Sequence, residues 1–312
     1  MSAFLNRIKK RRKHLAKWAR RWPTQAYRLY DRDMPEYPWS VDLYGEQVFL
    51  QEYPGKKSYD AERARQRVEV IDALCEALSI SKDQIFMRTR VRQKGSAQYE
   101  RQEGGKAAEF IVEEGGHRFH VNLGDYIDTG LFLDHRNLRR EVAATLRGMS
   151  RKTPRMLNLF CYTGAFSVWG ACAGAHTTSV DLSNTYLEWA GRNLSLNGID
   201  PEQHILVRSD ILRWLPKEVS LGRKYEVIVL DPPTFSRSKK MERDLDVQRD
   251  HVEMISHCLD LLTHDGVLYF STNFRDFSLD EDLERRAQEV TDRSVPDDFR
   301  PGIHRSWLFH AI

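Results

Sequence analysis

The chain has 312 residues, 41% of them hydrophobic and 30% charged, with a formal net charge of +3. That length suggests about two domains with a sizeable apolar core, and the composition argues against a disordered chain. No apolar run approaches the ~20 residues that span a bilayer, so no membrane partner is expected.

The start, Met1 to Trp22, lacks the apolar core and small-residue cleavage site of a secretory signal. The four cysteines, Cys75, Cys161, Cys172 and Cys258, form no C-x-x-C pair. This predicts reduced thiols in the cytoplasm and neither a disulfide frame nor a metal site.

The charge is segregated. Met1 to Arg28 holds ten Lys/Arg and no Asp/Glu, leaving 38 basic against 45 acidic residues in the remainder. Phe4, Leu5, Ile8, Leu15, Trp18, Ala19 and Trp22 fall on one helical stripe. Lys9, Lys10, Arg11, Arg12, Lys13 and Arg20 cover the other faces. Residues 1–25 therefore read as a basic amphipathic arm suited to a polyanion such as RNA, although the same stripe could pack on the protein's own body.

Strand patterns follow at 26–30, 39–43 and 48–53, then a helical period over 61–78 and a strand over 85–91. The stretch 92–106 is polar and Gly-rich, a loop whose Arg92 and Lys94 are further candidates for RNA contact. Apolar segments at 110–113 and 118–122 flank Gly115-Gly116, a hairpin signal. Residues 26–122 thus read as a small α+β, RNA-binding domain.

From residue 123 to 312 strands and helices alternate. Strands are predicted at 156–160, 177–180, 205–207, 226–230, 266–271 and 307–311, with helices at 165–172, 186–196, 247–262 and 283–290. This is an α/β pattern with a parallel sheet covered on both faces. In such sheets ligands bind beyond the carboxyl ends of the strands, so the residues after each strand carry the functional information.

The first strand runs through Asn158 and Phe160 into the turn Cys161-Tyr162-Thr163-Gly164. Gly164 lets the backbone approach a ligand, but the G-x-G-x-x-G fingerprint is absent. Asp181, with Leu182 and Ser183, ends the second strand 17 residues after Gly164. A carboxylate there can accept hydrogen bonds from both ribose hydroxyls of a nucleoside, and Ser183 is available to cap the next helix. Asp210, followed by Ile211, ends the third strand, where it can reach an adenine edge or cap a helix.

Gly, Asp and Asp on consecutive strand ends together describe an adenosine site. The missing glycines disfavour a pyrophosphate and suit S-adenosylmethionine, which has none. At the junction of the two blocks, Tyr126 to Arg136 could fold over that cofactor as a wall or lid, using Phe132, Asp134 and Arg136. A plain linker with Asp134 as a cap is the competing reading.

The fourth strand ends in Asp231-Pro232-Pro233-Thr234-Phe235. The prolines stiffen the backbone and offer carbonyls. Phe235 can stack on an extruded base, and Asp231 can accept from a ring or exocyclic N–H. Cytosine C5 would require attack by a thiolate, and neither this loop nor Phe270-Ser271-Thr272-Asn273 contains cysteine. A ring nitrogen such as guanine N7 needs only alignment and electrostatic support. An exocyclic amine remains open, as does a non-catalytic RNA-binding assembly factor.

These residues resemble the RlmK-type half of the RlmKL family of bifunctional 23S rRNA methyltransferases. The likeness runs from Asn6–Arg20 through Tyr27–Asp31, Gln51–Tyr53 and Arg90–Gly95. It is strongest in Asp128–Arg136, Asn158–Gly164, Val180–Asn197, Asp231–Ser236 and Asp246–His251. It implies a class I methyltransferase, Rossmann-like sheet with a smaller N-terminal α+β domain, S-adenosylmethionine as donor, and N7-methylation of a guanine in 23S rRNA or a pre-ribosomal large subunit. Related cytosine-C5 enzymes keep a cysteine near the fifth-strand end, where this chain has Ser271-Thr272-Asn273. The RlmL half has no counterpart in these residues.

Overall fold

The computed structural model describes residues 2–53, 60–90, 109–126, 128–238, 241 and 243–311. The predicted loop carrying Arg92 and Lys94 lies outside the described residues. The chain divides into two units.

The first unit comprises Met1–Gly116, Val121–Thr129 and Asp297–Arg300. It opens with α1 (Ala3–Arg21), whose first turn is capped by Ser2 Oγ accepting from the Leu5 N–H at 3.2 Å. Strands β1 (Ala26–Asp31), β2 (Trp39–Tyr44) and β3 (Gln47–Glu52) follow, then α2 (Asp60–Leu78) and β4 (Ile85–Thr89). The four strands pair in chain order, β3 and β4 in parallel. β5 (Glu109–Glu114) follows, and β6 (His117–Asn122), divided between the two units after His120, comes after the turn at Gly115-Gly116 as expected.

The stripe of α1 is core from Phe4 to Leu15, while Trp18 and Ala19 are half-buried and Trp22 at its end is exposed. Phe4, Leu5, Ile8 and Leu15 pack with Leu29, Tyr30, Trp39, Leu50, Val70 and Leu74. Part of its charge serves the same unit: Arg7 pairs with Asp33 at 2.6 Å and Lys9 with Glu76 at 2.7 Å. Arg11 donates to the Leu29 carbonyl, Arg12 to that of Ala77 and Arg20 to that of Ala16. Lys10 and Lys13 are exposed.

The second unit comprises His117–His120, Gly130–Pro296 and Pro301–Ile312. Its elements begin with α3 (Arg136–Gly148), β7 (Arg155–Leu159), α4 (Ala165–Cys172), β8 (His176–Asp181), α5 (Asn184–Leu196), β9 (Ile205–Arg208) and α6 (Ile211–Ser220). They continue with β10 (Tyr225–Leu230), β11 (Phe235–Ser236), β12 (Leu245–Asp246), α7 (Val247–Asp260) and β13 (Leu262–Thr272). α8 (Glu281–Glu284), β14 (Gln288–Glu289), α9 (Thr291–Ser294) and β15 (Arg305–His310) complete it.

The seven-stranded sheet has the order β14-β15-β13-β10-β7-β8-β9. β13, β10, β7, β8 and β9 are parallel neighbours, and β15 runs antiparallel to β13. This is the largely parallel sheet that the alternating pattern predicts, with the class I methyltransferase, Rossmann-like form that the resemblance implies. The chain winds outward from β7 to β9, then returns to β10 and β13. The order therefore reverses between β7 and β10, and ligands bind in the crevice beyond such a reversal.

The apolar strands split by alternation. Leu157, Leu159, Ile228, Leu230, Leu268 and Phe270 pack on the side of Leu215, Met254 and Ile255. Met156, Val227, Val229 and Tyr269 pack on the side of Leu138, Val142 and Leu146.

One predicted helix, 283–290, is not continuous. Asp280 caps the short α8, and the chain then pairs Gln288 and Glu289 with β15 as an edge strand. The Val290 N–H goes to the Ser306 carbonyl at 2.8 Å, so sheet pairing takes a donor the helix would have used. Among the described residues no helix is long and apolar enough to cross a membrane, and all four cysteines are free thiols.

Candidate active site at the strand ends

The sheet register brings the key carboxylates together. Leu159 pairs with Val180 on one side and with Leu230 on the other. Asp181 and Asp231, each one residue further on, therefore flank the end of β7, separated by about two strand spacings or ~10 Å. Phe270 pairs with Leu230, which sets Ser271 beside Asp231.

The turn after β7 is unusual backbone. Phe160, Tyr162 and Gly164 all have positive φ, at 55°, 50° and 74°. For a non-glycine residue that conformation costs on the order of 1–2 kcal/mol, so the surroundings must hold it. The Cys161 N–H donates to the Val180 carbonyl, the Gly164 N–H to the Cys161 carbonyl, and the Tyr162 N–H to Asp181 Oδ2 at 3.0 Å. A Cβ on Gly164 would lie 2.7 Å from that of Ala190, so close packing on α5 also requires glycine there.

Two residues predicted to hold the cofactor are bracing residues in the structure. Asn158 is buried and donates to Ser167 Oγ at 2.9 Å. Thr163 is buried and donates through Oγ1 to the Gly130 carbonyl at 2.6 Å. The Gly130 N–H in turn donates to the Tyr162 hydroxyl at 2.9 Å, and the Phe132 ring sits 4.9 Å from that of Tyr162. The segment from Gly130 is thus fastened against the turn as a wall, with Phe132 still 41% exposed.

Asp181 accepts on both oxygens, from Tyr162 N–H and from Ser183 N–H at 2.8 Å. Burial pushes its carboxyl up to about 6, against the lowering effect of the Ser183, Tyr162 and Leu182 main-chain N–H groups. Ser183 takes the N-cap of α5 through Tyr186 N–H, so Asp181 is not the cap. Asp210 is one: its Oδ1 accepts from Leu212 N–H at 3.1 Å at the start of α6, and Ile211 beside it is core. Asp210 also lines, with Leu182, Arg208, Ser209, Arg213 and Lys217, an open depression of about 430 Å³.

Asp231 is the centre of the second half. Its Oδ1 accepts from Ser271 Oγ at 2.5 Å, and its Oδ2 lies 3.3 Å from His135 Nε2. Beyond it Pro232 is buried and Pro233 half-buried, while Phe235 on β11 is 49% exposed. Thr234 donates to Asn273 Oδ1 at 2.8 Å, tying the loop to the end of β13.

His135, His304 and Ser294 were not among the predicted site residues, whereas Asp134 and Asp231 were. The ring is buried and stacks on His304, centroids 4.5 Å apart and planes within 16°. His304 Nδ1 lies 3.2 Å from Asp134 Oδ2, and its Nε2 lies 3.0 Å from Ser294 Oγ. Burial pushes the His135 imidazole below the ordinary histidine value. Asp134 therefore faces His304, and Arg136 is buried at the start of α3. The Asp134-His135-Arg136 triplet was visible in the sequence, but His304 lies 170 residues from Asp134 and carries no local signal.

A family model described as S-adenosylmethionine-dependent methyltransferase matches residues 48–296. Ribosomal RNA large subunit methyltransferase K of Neisseria meningitidis serogroup B is 46% identical over 313 residues, 98% of this chain and 86% of that protein. Ribosomal RNA large subunit methyltransferase K/L of Pseudomonas paraeruginosa is 49% identical over 311 residues, and the chain spans 41% of its length. A Streptococcus mutans protein solved as a candidate S-adenosylmethionine-dependent methyltransferase has a TM-score of 0.73 at 22% identity. That match covers 98% of this chain and 80% of the other and shows the shared fold. The resemblance read from the motifs and the order of the strands thus lead to one conclusion: the chain belongs to the S-adenosylmethionine-dependent methyltransferases, in the family of ribosomal RNA large subunit methyltransferase K.

Proposed function

We propose that the chain methylates a base of large-subunit ribosomal RNA, and that the acceptor is N7 of a guanine in 23S rRNA. The observation that carries this reading is Asp231, met on one oxygen by Ser271 and faced on the other by His135, beside a diproline and an exposed Phe235. The relatives named as ribosomal RNA large subunit methyltransferases support the substrate class.

The donor's sulfonium supplies an electrophilic methyl group when bound. The residues present fit a phosphate-free nucleoside. Asp181 offers a carboxylate to ribose hydroxyls. Asp210 caps α6 with Oδ1, and among the described residues no protein donor meets its Oδ2, which suits an adenine amino group. The turn at Gly164, fixed by its close packing on Ala190 of α5, would set main chain beside the methionine end. Phe132 and Tyr162 form an aromatic wall beside it.

On the acceptor side, Phe235 would stack on an extruded base. The Asp231 anion would offset the positive charge that methylation leaves on a guanine ring. A covalent route through cysteine finds no support: Ser271 stands at the end of β13, and burial pushes the thiols of Cys161 and Cys258 up, away from the thiolate. The exposed Lys10 and Lys13 of α1 would meet the RNA backbone.

Nucleoside mass spectrometry of 23S rRNA from cells with and without the gene tests the reading. Loss of one N7-methylguanosine is the expected result. Loss of an N2-methylguanosine or a 5-methylcytidine instead would overturn it.

A further inference from the structure

We propose that His135 is a positioning residue that holds the Asp231 carboxylate in its working orientation, with His304, Asp134 and Ser294 fixing the imidazole behind it. This rests on the reading of Asp231 as the base-facing carboxylate.

The geometry is that of a support. The Asp231 side chain is 21% exposed, whereas that of His135 is 8% exposed. The carboxylate thus looks partly outward, and its neighbours sit behind it. Ser271 meets one oxygen from the end of β13, and His135 approaches the other from the turn before α3. A hydrogen bond on one oxygen and an imidazole nitrogen 3.3 Å from the other, from two elements, leave the carboxylate little freedom to rotate.

The protonation pattern follows from the partners. A neutral imidazole has one N–H and one lone pair. His135 Nε2 faces an anion and so carries the hydrogen. His135 Nδ1 is buried and, among the described residues, has no hydrogen-bond partner, so a second N–H there would lack an acceptor. His135 therefore stays neutral and presents a single donor to Asp231, in keeping with burial pushing its pKa down. The ring is held from behind by the parallel ring of His304, itself tied at both nitrogens to Asp134 and Ser294.

Asp134, His135 and His304 also bring three ligand-type atoms within 4.8 Å of one another. Rings within 16° of parallel keep their in-plane lone pairs in separate planes. An ion at the usual ~2.0–2.1 Å from both nitrogens would lie far out of at least one plane. Hydrogen bonding is the use this geometry suits.

The test is a set of full-length variants, His135→Gln, His135→Asn and His135→Ala, assayed for single-turnover methyl transfer to unmodified 23S rRNA at saturating donor. Donor affinity is read by calorimetry and folding by melting temperature. The Gln amide nitrogen reaches the place of Nε2, and the Asn amide does not. The Ala and Asn variants are expected to lose at least tenfold in transfer rate with donor Kd within twofold of wild type, and Gln to recover to within threefold. In an Asp231→Asn background, His135→Ala should have no further effect, because the residue acts through that carboxylate.

A Gln variant no better than Asn would overturn the proposal, as would a loss expressed in donor Kd or an additive double mutant. If His135→Ala melts too low to assay, the Gln and Asn pair decides. A wild-type product other than N7-methylguanosine would overturn the choice of acceptor atom alone. The comparison of Gln with Asn reads support of the carboxylate whichever atom receives the methyl.

Discussion

Asp181 and Asp231 stand on either side of the end of β7, because Leu159 pairs with both Val180 and Leu230 in register. On the proposed reading one carboxylate serves the donor nucleoside and the other the acceptor base, so mutations at the two are predicted to separate donor binding from transfer.

Asp181→Asn is predicted to weaken donor affinity about 10- to 100-fold, the worth of hydrogen bonds to a charged acceptor at roughly 1.5–3 kcal/mol. The pH dependence has a definite sign. The folded-state pKa is raised from 3.8 to about 6, so Asp181 favours the folded state at low pH and loses that contribution as pH rises through about 6. On the proposed role donor binding runs the other way, since ribose hydroxyls donate more strongly to the ionised form. Calorimetry should find affinity full at neutral pH and falling below about pH 6. An affinity flat between about pH 5 and 8 would contradict the role.

Gly164→Ala is predicted to destabilise the protein by about 1–3 kcal/mol. The substitution both strains a φ of +74° and sets a methyl 2.7 Å from Ala190 Cβ. Thermal melting checks it, and an unchanged melting temperature would show that the turn relaxes freely.

How much of this was legible follows from the kind of signal each residue gives. Gly164, Asp181, Asp210 and Asp231 were singled out because a parallel sheet puts ligands at strand ends, strand ends can be read from apolar runs, and the structure does place all four at or just after the ends of β7, β8, β9 and β10. Asp210 shows the limit, since the same carboxylate that could meet an adenine also caps α6. Asn158 and Thr163 sat in the right turn, but sequence position does not say which way a side chain points, and both are buried braces. The His135–His304 stack was invisible because its partners are distant in the chain and neither shows a periodic pattern. The failed helix at 283–290 had helical spacing, but tertiary pairing with β15 took its backbone donor. On α1 the charge count was right, yet Lys9, Arg11 and Arg12 are partly engaged within their own unit.

That engagement shapes the test of RNA binding. Truncating α1 would remove Phe4, Leu5, Ile8 and Leu15 from a core, and Ile8→Ala alone is predicted to cost about 2–5 kcal/mol. The double charge reversal Lys10→Glu with Lys13→Glu should leave the melting temperature unchanged. It should weaken RNA binding and reduce the salt slope by about 1 for each lysine that meets a phosphate. An unchanged slope would remove these lysines from the interface.

The most direct test of the whole account is Asp231→Asn, measured twice on the same preparation: donor Kd by calorimetry and labelled methyl transfer to unmodified 23S rRNA. The account predicts donor Kd within twofold of wild type and transfer reduced about 100- to 1000-fold, the scale of losing one electrostatic group aimed at the reacting centre. Transfer at the wild-type rate, or a loss that appears only as weaker donor binding, would contradict it.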